Sequence, residues 1–156
     1  MPRERNKPAE LILDLGTFDN FQKEASRPLL DSGPYHLRIS DWEHYVTKKG
    51  QHSVYIYHEA IDCDDPDMNG LEVRRLFMLE GDGRGFLAEY FSLLHNPQAG
   101  VNISWGESEQ VNLRQLFDDI IGLQIDADVA KELYTPEGGG ETREVNNVTG
   151  FRRRED

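Results

Sequence analysis

The chain has 156 residues, 37% hydrophobic and 29% charged, which supplies one modest core and is too little for two ordinary domains. Its net charge of -12, from 29 acids against 17 bases, excludes a protein that coats nucleic acid by bulk positive charge. No apolar run nears the roughly 20 residues needed to cross a bilayer, and a single cysteine, Cys63, excludes a disulfide scaffold or a Cys-based zinc finger.

The opening Met1-Pro-Arg-Glu-Arg-Asn-Lys-Pro8 has no hydrophobic segment behind its charges, so no secretory signal is expected and the expected location is cytoplasmic. The glycosylation patterns at Asn102-Ile-Ser104 and Asn147-Val-Thr149 then carry no meaning. Residues 1–30 read as an arm in which Leu11, Leu15, Phe18 and Phe21 form one stripe of a short helix ending before Pro28. After the turn signal Asp31-Ser-Gly-Pro34 the period changes from helical to two. Tyr35, Leu37 and Ile39 alternate with His36, Arg38 and Ser40, predicting a half-buried strand that continues to about Val46 and turns at Lys48-Lys-Gly50. A second strand is predicted over His52–Ile61, rich in β-branched and aromatic residues. An acidic loop, Asp62 to Gly70, leads to a third strand over Leu71–Leu79.

The period then becomes helical. Phe86, Leu87, Tyr90, Phe91 and Leu94 form one apolar face, stopped by Pro97. Leu113, Leu116, Phe117 and Ile120 form a second, with Asn112 and Gln115 as a capping box. Alternation resumes at Ile121, Leu123, Ile125, Ala127 and Val129, and a last strand spans Glu144–Arg152 beyond the flexible Gly138-Gly-Gly140. Residues 31–152 thus read as one domain, followed by a charged end at 153–156. The expected class is mainly β with a helical insert. Five short antiparallel strands with one or two helices between the third and fourth is the order of an OB-fold-like barrel, with an α+β sandwich as the alternative.

Catalytic patterns are weak. Asp65-x-Asp67-x-Asn69-Gly70 opens like a calcium loop, but its twelfth position is Leu76 where a bidentate Glu is required. Pro66-Asp67 with Glu72-Val-Arg74 is faintly similar to a metal-dependent nuclease motif, with too short a gap and no Lys. Gly81-Asp-Gly-Arg-Gly85 lacks the spacing of a phosphate loop, and no G-x-S-x-G turn is present. The expectation is a non-enzymatic protein with no metal and no cofactor.

A binding pattern is stronger. Six of the bases sit in residues 1–7 and 152–154, so residues 8–151 hold 26 acids against 11 bases, a charge of -15. An anionic ligand must therefore use a local strip. With Val54, Ile56 and Ala60 inward, Tyr55 and Tyr57 face outward; with Leu37 and Ile39 inward, Arg38 and Trp42 face outward. Arg74 and Arg75 lie on the third strand, and Lys48 and Lys49 at the first turn. Rings interleaved with cations on neighbouring strands suit single-stranded nucleic acid: Trp42, Tyr55 and Tyr57 stack bases while Arg38, Lys48, Lys49, Arg74 and Arg75 meet phosphates. A protein-interaction adaptor on the same fold is the alternative, with the aromatics as its hot spot.

The stretch from Gly33 to Arg152 resembles a phage protein family long described as a domain of unknown function. The family is now associated with phage single-stranded DNA-binding proteins. The landmarks are Ser53-Val-Tyr-Ile-Tyr-His-Glu-Ala60, the Asn69-Gly70 turn into Val73-Arg-Arg-Leu-Phe77, Ile121 to Val129, Tyr134, and Val145-Asn-Asn-Val-Thr-Gly-Phe151. The Leu15–Phe21 segment is similar to that family's lead-in. The resemblance implies an OB-like barrel and sequence-independent binding of single-stranded DNA in phage replication and recombination, inside an infected or lysogenic bacterium. The candidate partners are then phage recombinase or replication proteins and, in a homo-oligomer, further copies of this chain; from the hydropathy no membrane is expected.

Overall fold

A computed structural model describes residues 7–12, 14, 29–103, 111–135, 138 and 140–154. The strands are β1 (Gly33–Val46), β2 (His52–Ile61), β3 (Glu72–Met78), β4 (Gln124–Tyr134) and β5 (Arg143–Arg152). Two helices, α1 (Arg84–Leu94) and α2 (Leu113–Ile120), fall between β3 and β4. All the strands join in one antiparallel sheet of order β3-β2-β1-β4-β5. The expected mainly β chain with a helical insert is what the fold shows. Closure into a barrel is not shown: among the described residues no backbone ladder joins β3 to β5. The two edge strands meet instead through side chains, where Arg75 Nη1 donates to the Val148 carbonyl at 3.1 Å and the Phe77 and Phe151 rings lie 6.0 Å apart.

The core forms on one face of this sheet, from Leu37, Ile39, Val54, Ile56, Val73, Phe77, Ile125, Val129 and Val148. Leu87, Tyr90 and Leu94 of α1 and Phe117 and Ile120 of α2 cover it, while Phe86, counted inward by its spacing, stands 60% exposed at the start of α1. The Asn112 side chain caps α2 by accepting from the Gln115 N–H (3.3 Å). Only half of the expected capping box forms, because the Gln115 amide turns to Asp119 (2.8 Å). The predicted fourth strand starts too early: Ile121–Leu123 is a turn, with Gly122 at φ +95°, and the ladder instead runs on to Tyr134. The short helix expected around Leu15, Phe18 and Phe21 lies outside the described residues; Leu11 is exposed and not helical.

Two bulges reset the side-chain alternation. In β1 the pairing passes from Ile39–His58 to Asp41–Tyr57, so Ser40 is the extra residue and every side chain after it changes face. In β5 the extra residue is Gly150, with φ +59°, and its bulge turns Phe151 onto Tyr90 with ring centroids 5.0 Å apart. A Cβ at Gly150 would approach the Asp128 carboxylate to 2.9 Å. Gly150→Ala is therefore expected to cost about 1–2 kcal/mol for the left-handed backbone alone, read as a lower urea midpoint at unchanged m-value.

Leu30, just before β1, and Arg153–Arg154, just after β5, are held by specific bonds. Asn146 clamps Leu30, accepting from its N–H (3.0 Å) and donating to its carbonyl (2.9 Å). Arg153 donates to the carbonyls of Ser92 and His95, closing the C-terminal turn of α1, where a cation suits the helix dipole. Arg154 binds Asp62 at 2.7 Å and, by that hydrogen bond, holds the carboxyl below its ordinary pKa.

Candidate functional site

The sheet face opposite the core carries a group of tyrosines. Alternation on β2 places Tyr55 and Tyr57 there, half-buried, while Val54, Ile56, His58 and Ala60 are buried. Pairing sets Tyr55 between Glu43 and Leu76, and Tyr57 between Asp41 and Arg74. The Arg74 guanidinium lies over the Tyr55 ring, 4.2 Å from its centroid, and the Tyr45 ring packs against Tyr55 at 5.4 Å, tilted by 50°. The Tyr57 hydroxyl donates to Glu43 at 2.7 Å, which raises its pKa; burial adds to this, and Arg74 pulls the other way. Arg38 sits at the same level as Glu59 and binds its carboxylate through both Nε (2.6 Å) and Nη2 (2.5 Å).

Two of the residues expected on this face are not there. Trp42 lies beyond the Ser40 bulge and pairs with Ile56, on the core side. Its indole packs on Phe117 at 5.3 Å and its N–H donates to Asp118 at 2.8 Å. Arg75 pairs with Ile56 from β3 and also points inward, bridging to Val148, because neighbours on a strand face opposite ways. Arg38, Tyr55, Tyr57 and Arg74 do share the outer face, and Lys48 and Lys49 are exposed at the turn beyond it. Tyr45 also belongs to this face, although unbroken alternation from Leu37 counts it as inward.

The charge of the face is mixed. Arg38 and Arg74 are set among Asp41, Glu43, Glu59 and Glu72, and each of these carboxylates already accepts a hydrogen bond: from the Trp42 N–H, Tyr57, Arg38 and Ser40 in turn. The face thus offers aromatic surface with one cation stacked on it, edged by acids whose lone pairs are partly spent.

No protein-family model matches the chain, and no curated protein matches its sequence.

Elsewhere the chemistry is structural. Asp65 and Asn69 of the acidic loop accept backbone N–H bonds from Asp67 (3.0 Å) and Cys63 (2.9 Å), shaping a short 3-10 turn at Pro66–Met68. Among the described residues no three His, Cys, Asp or Glu side chains converge as metal ligands would. Burial, with the acidic neighbours adding to it, raises the Cys63 thiol pKa, which lowers its reactivity. Another ring-and-cation pair, Arg143 over Tyr134 at 5.7 Å, stands on the β4–β5 hairpin at the far end of the sheet from Tyr55.

Proposed function

We propose that this protein binds single-stranded DNA along the tyrosine face, without sequence preference and without chemistry of its own. The observation that carries the reading is the cluster of Tyr45, Tyr55 and Arg74 beside Tyr57: part-exposed π-surface on adjacent strands with a guanidinium over one of the rings. The strand order supports an OB-type barrel parted between β3 and β5, the two edges that Arg75 spans. Such a protein would protect single strands and present them to replication and recombination proteins, and its resemblance to the phage single-strand-binding family suggests that setting.

One observation favours a second reading. Four carboxylates among two arginines make the face more acidic than a phosphate-tracking surface needs, and this suits an adaptor that docks a basic protein segment. Salt dependence separates the two. With Arg38, Lys48, Lys49 and Arg74 each meeting one phosphate, log K is expected to fall with log salt at a slope of about -3, at roughly -0.7 per contact. Replacing Lys48 and Lys49 with Ala should flatten that slope by about 1.4 and weaken all sequences alike. Fluorescence anisotropy with a labelled 30-mer measures both. A parent protein with no affinity in about 50 mM salt would leave the adaptor standing.

A further inference from the structure

At the turn end of the β1–β2 hairpin the inner face of the sheet extends past the core. A groove of about 540 Å3 lies there, with Trp42 and Phe117 in its floor and His44, His52, Arg114 and Glu80 around it. The Trp42 indole is fixed by Phe117 and Asp118, so its surface is preorganised. Across the strands His44 Nε2 lies 2.9 Å from His52 Nδ1, with the rings 8° from parallel. A neutral imidazole has one N–H. Whichever ring donates within the pair, the accepting ring must carry its own N–H on its other nitrogen, aimed away from its partner. The pair therefore always offers a donor to a third group.

We propose that this groove receives one nucleotide of the bound strand, with its base against Trp42 and its phosphate at Arg114 and the imidazole N–H. The inference rests on the single-strand reading above and gives it a path. Tyr45 and His44 are neighbours in sequence on opposite faces, so the aromatic row Tyr57–Tyr55–Tyr45 continues around the hairpin end into His44, His52 and Trp42. The turn between the two faces carries the exposed Lys48 and Lys49. With Arg114 they bring three cations to this end of an acidic body. The nearby acids are engaged, Glu80 accepting from the His52 backbone N–H (2.9 Å) and Asp118 from Trp42.

The test is an NMR titration of the full chain with dTMP and, separately, thymidine, reading the imidazole signals of His44 and His52 and the Trp42 indole N–H. The expected result is movement of all three with dTMP, weaker with thymidine, and retained in Tyr55→Ala/Tyr57→Ala. His44→Ala/His52→Ala and Arg114→Ala, all at exposed positions, are each expected to weaken a 30-mer by about ten- to 150-fold, the range for losing a hydrogen bond to a charged group. No movement with dTMP, together with parent-like oligonucleotide binding by these variants, overturns the groove and leaves the tyrosine face intact. Equal movement with thymidine overturns the phosphate role of Arg114 and the histidines. Movement with dTMP in a protein that binds no 30-mer keeps the groove and removes the single-strand function instead.

Discussion

Replacing Tyr55 and Tyr57 together with Ala is expected to weaken single-strand binding by about 2–6 kcal/mol, because each ring can stack one base at roughly 1–3 kcal/mol. The core lies on the other face of β2, through Val54, Ile56, His58 and Ala60, so the fold should survive the change. What the protein itself loses is the Tyr55 ring's contacts with Arg74 and Tyr45 and the hydrogen bond from Tyr57 to Glu43, all near the surface. A loss of about 1 kcal/mol is the ordinary scale for such a change. Anisotropy titration and urea unfolding of the same preparation separate the two quantities. Tyr57→Phe serves as the control: it keeps the ring, drops the hydroxyl and should bind like the parent. A folded double variant that binds as tightly as the parent would remove the tyrosines from the site.

The second large effect is on stability in acid, and it belongs to His58. This side chain is 0% exposed, edge-on to Tyr90 and beside Phe151, with Nε2 2.8 Å from the Tyr90 hydroxyl. Desolvation drives its pKa from 6.5 down to about 4, and the nearby backbone of Val73 and Ile56 offsets only part of that. As pH falls through 6.5 the unfolded chain takes up a proton that the folded chain refuses until about 4. Between those values the unfolded state binds more protons, so stability drops. Below about 4 both states are protonated and this residue removes nothing further. The loss by pH 4 is about 3 kcal/mol, at roughly 1.36 kcal/mol for each pH unit that separates the two values. His58→Leu should be less stable at pH 7, where it leaves the Tyr90 hydroxyl without its partner, yet lose about 3 kcal/mol less on going to pH 4. Urea unfolding at pH 7, 5.5 and 4 measures this difference, and carboxylates that titrate in both proteins cancel from it. Parallel pH profiles would show that His58 is not the acid-sensitive group.

His58 illustrates how local pattern and long-range contact divide the account of this protein. Its inward phase is legible from Val54, Ile56 and Ala60, because alternation along one strand is a local property. The strand His52–Ile61, the outward pair Tyr55 and Tyr57, the two amphipathic helices and the Asn112 cap all come from patterns of that kind. Alternation also turns Arg75 inward with Val73 and Phe77, so Arg74 and Arg75 cannot act as one basic pair. The sequence even holds a sign of the Ser40 bulge: unbroken alternation from Leu37 would drive Asp41 and Glu43 into the core, at a desolvation cost no partner there offsets. What no local pattern could supply is the partner of each face. That His58 meets Tyr90, that Arg75 reaches Val148, that Trp42 leaves the tyrosine face for Phe117, and that β3 and β5 approach without a ladder depend on residues 32 to 76 positions apart. Periodicity says which side of a strand is apolar. Which distant segment covers that side, and where a bulge moves the boundary between core and surface, is settled only when all five strands and both helices compete for the same buried area.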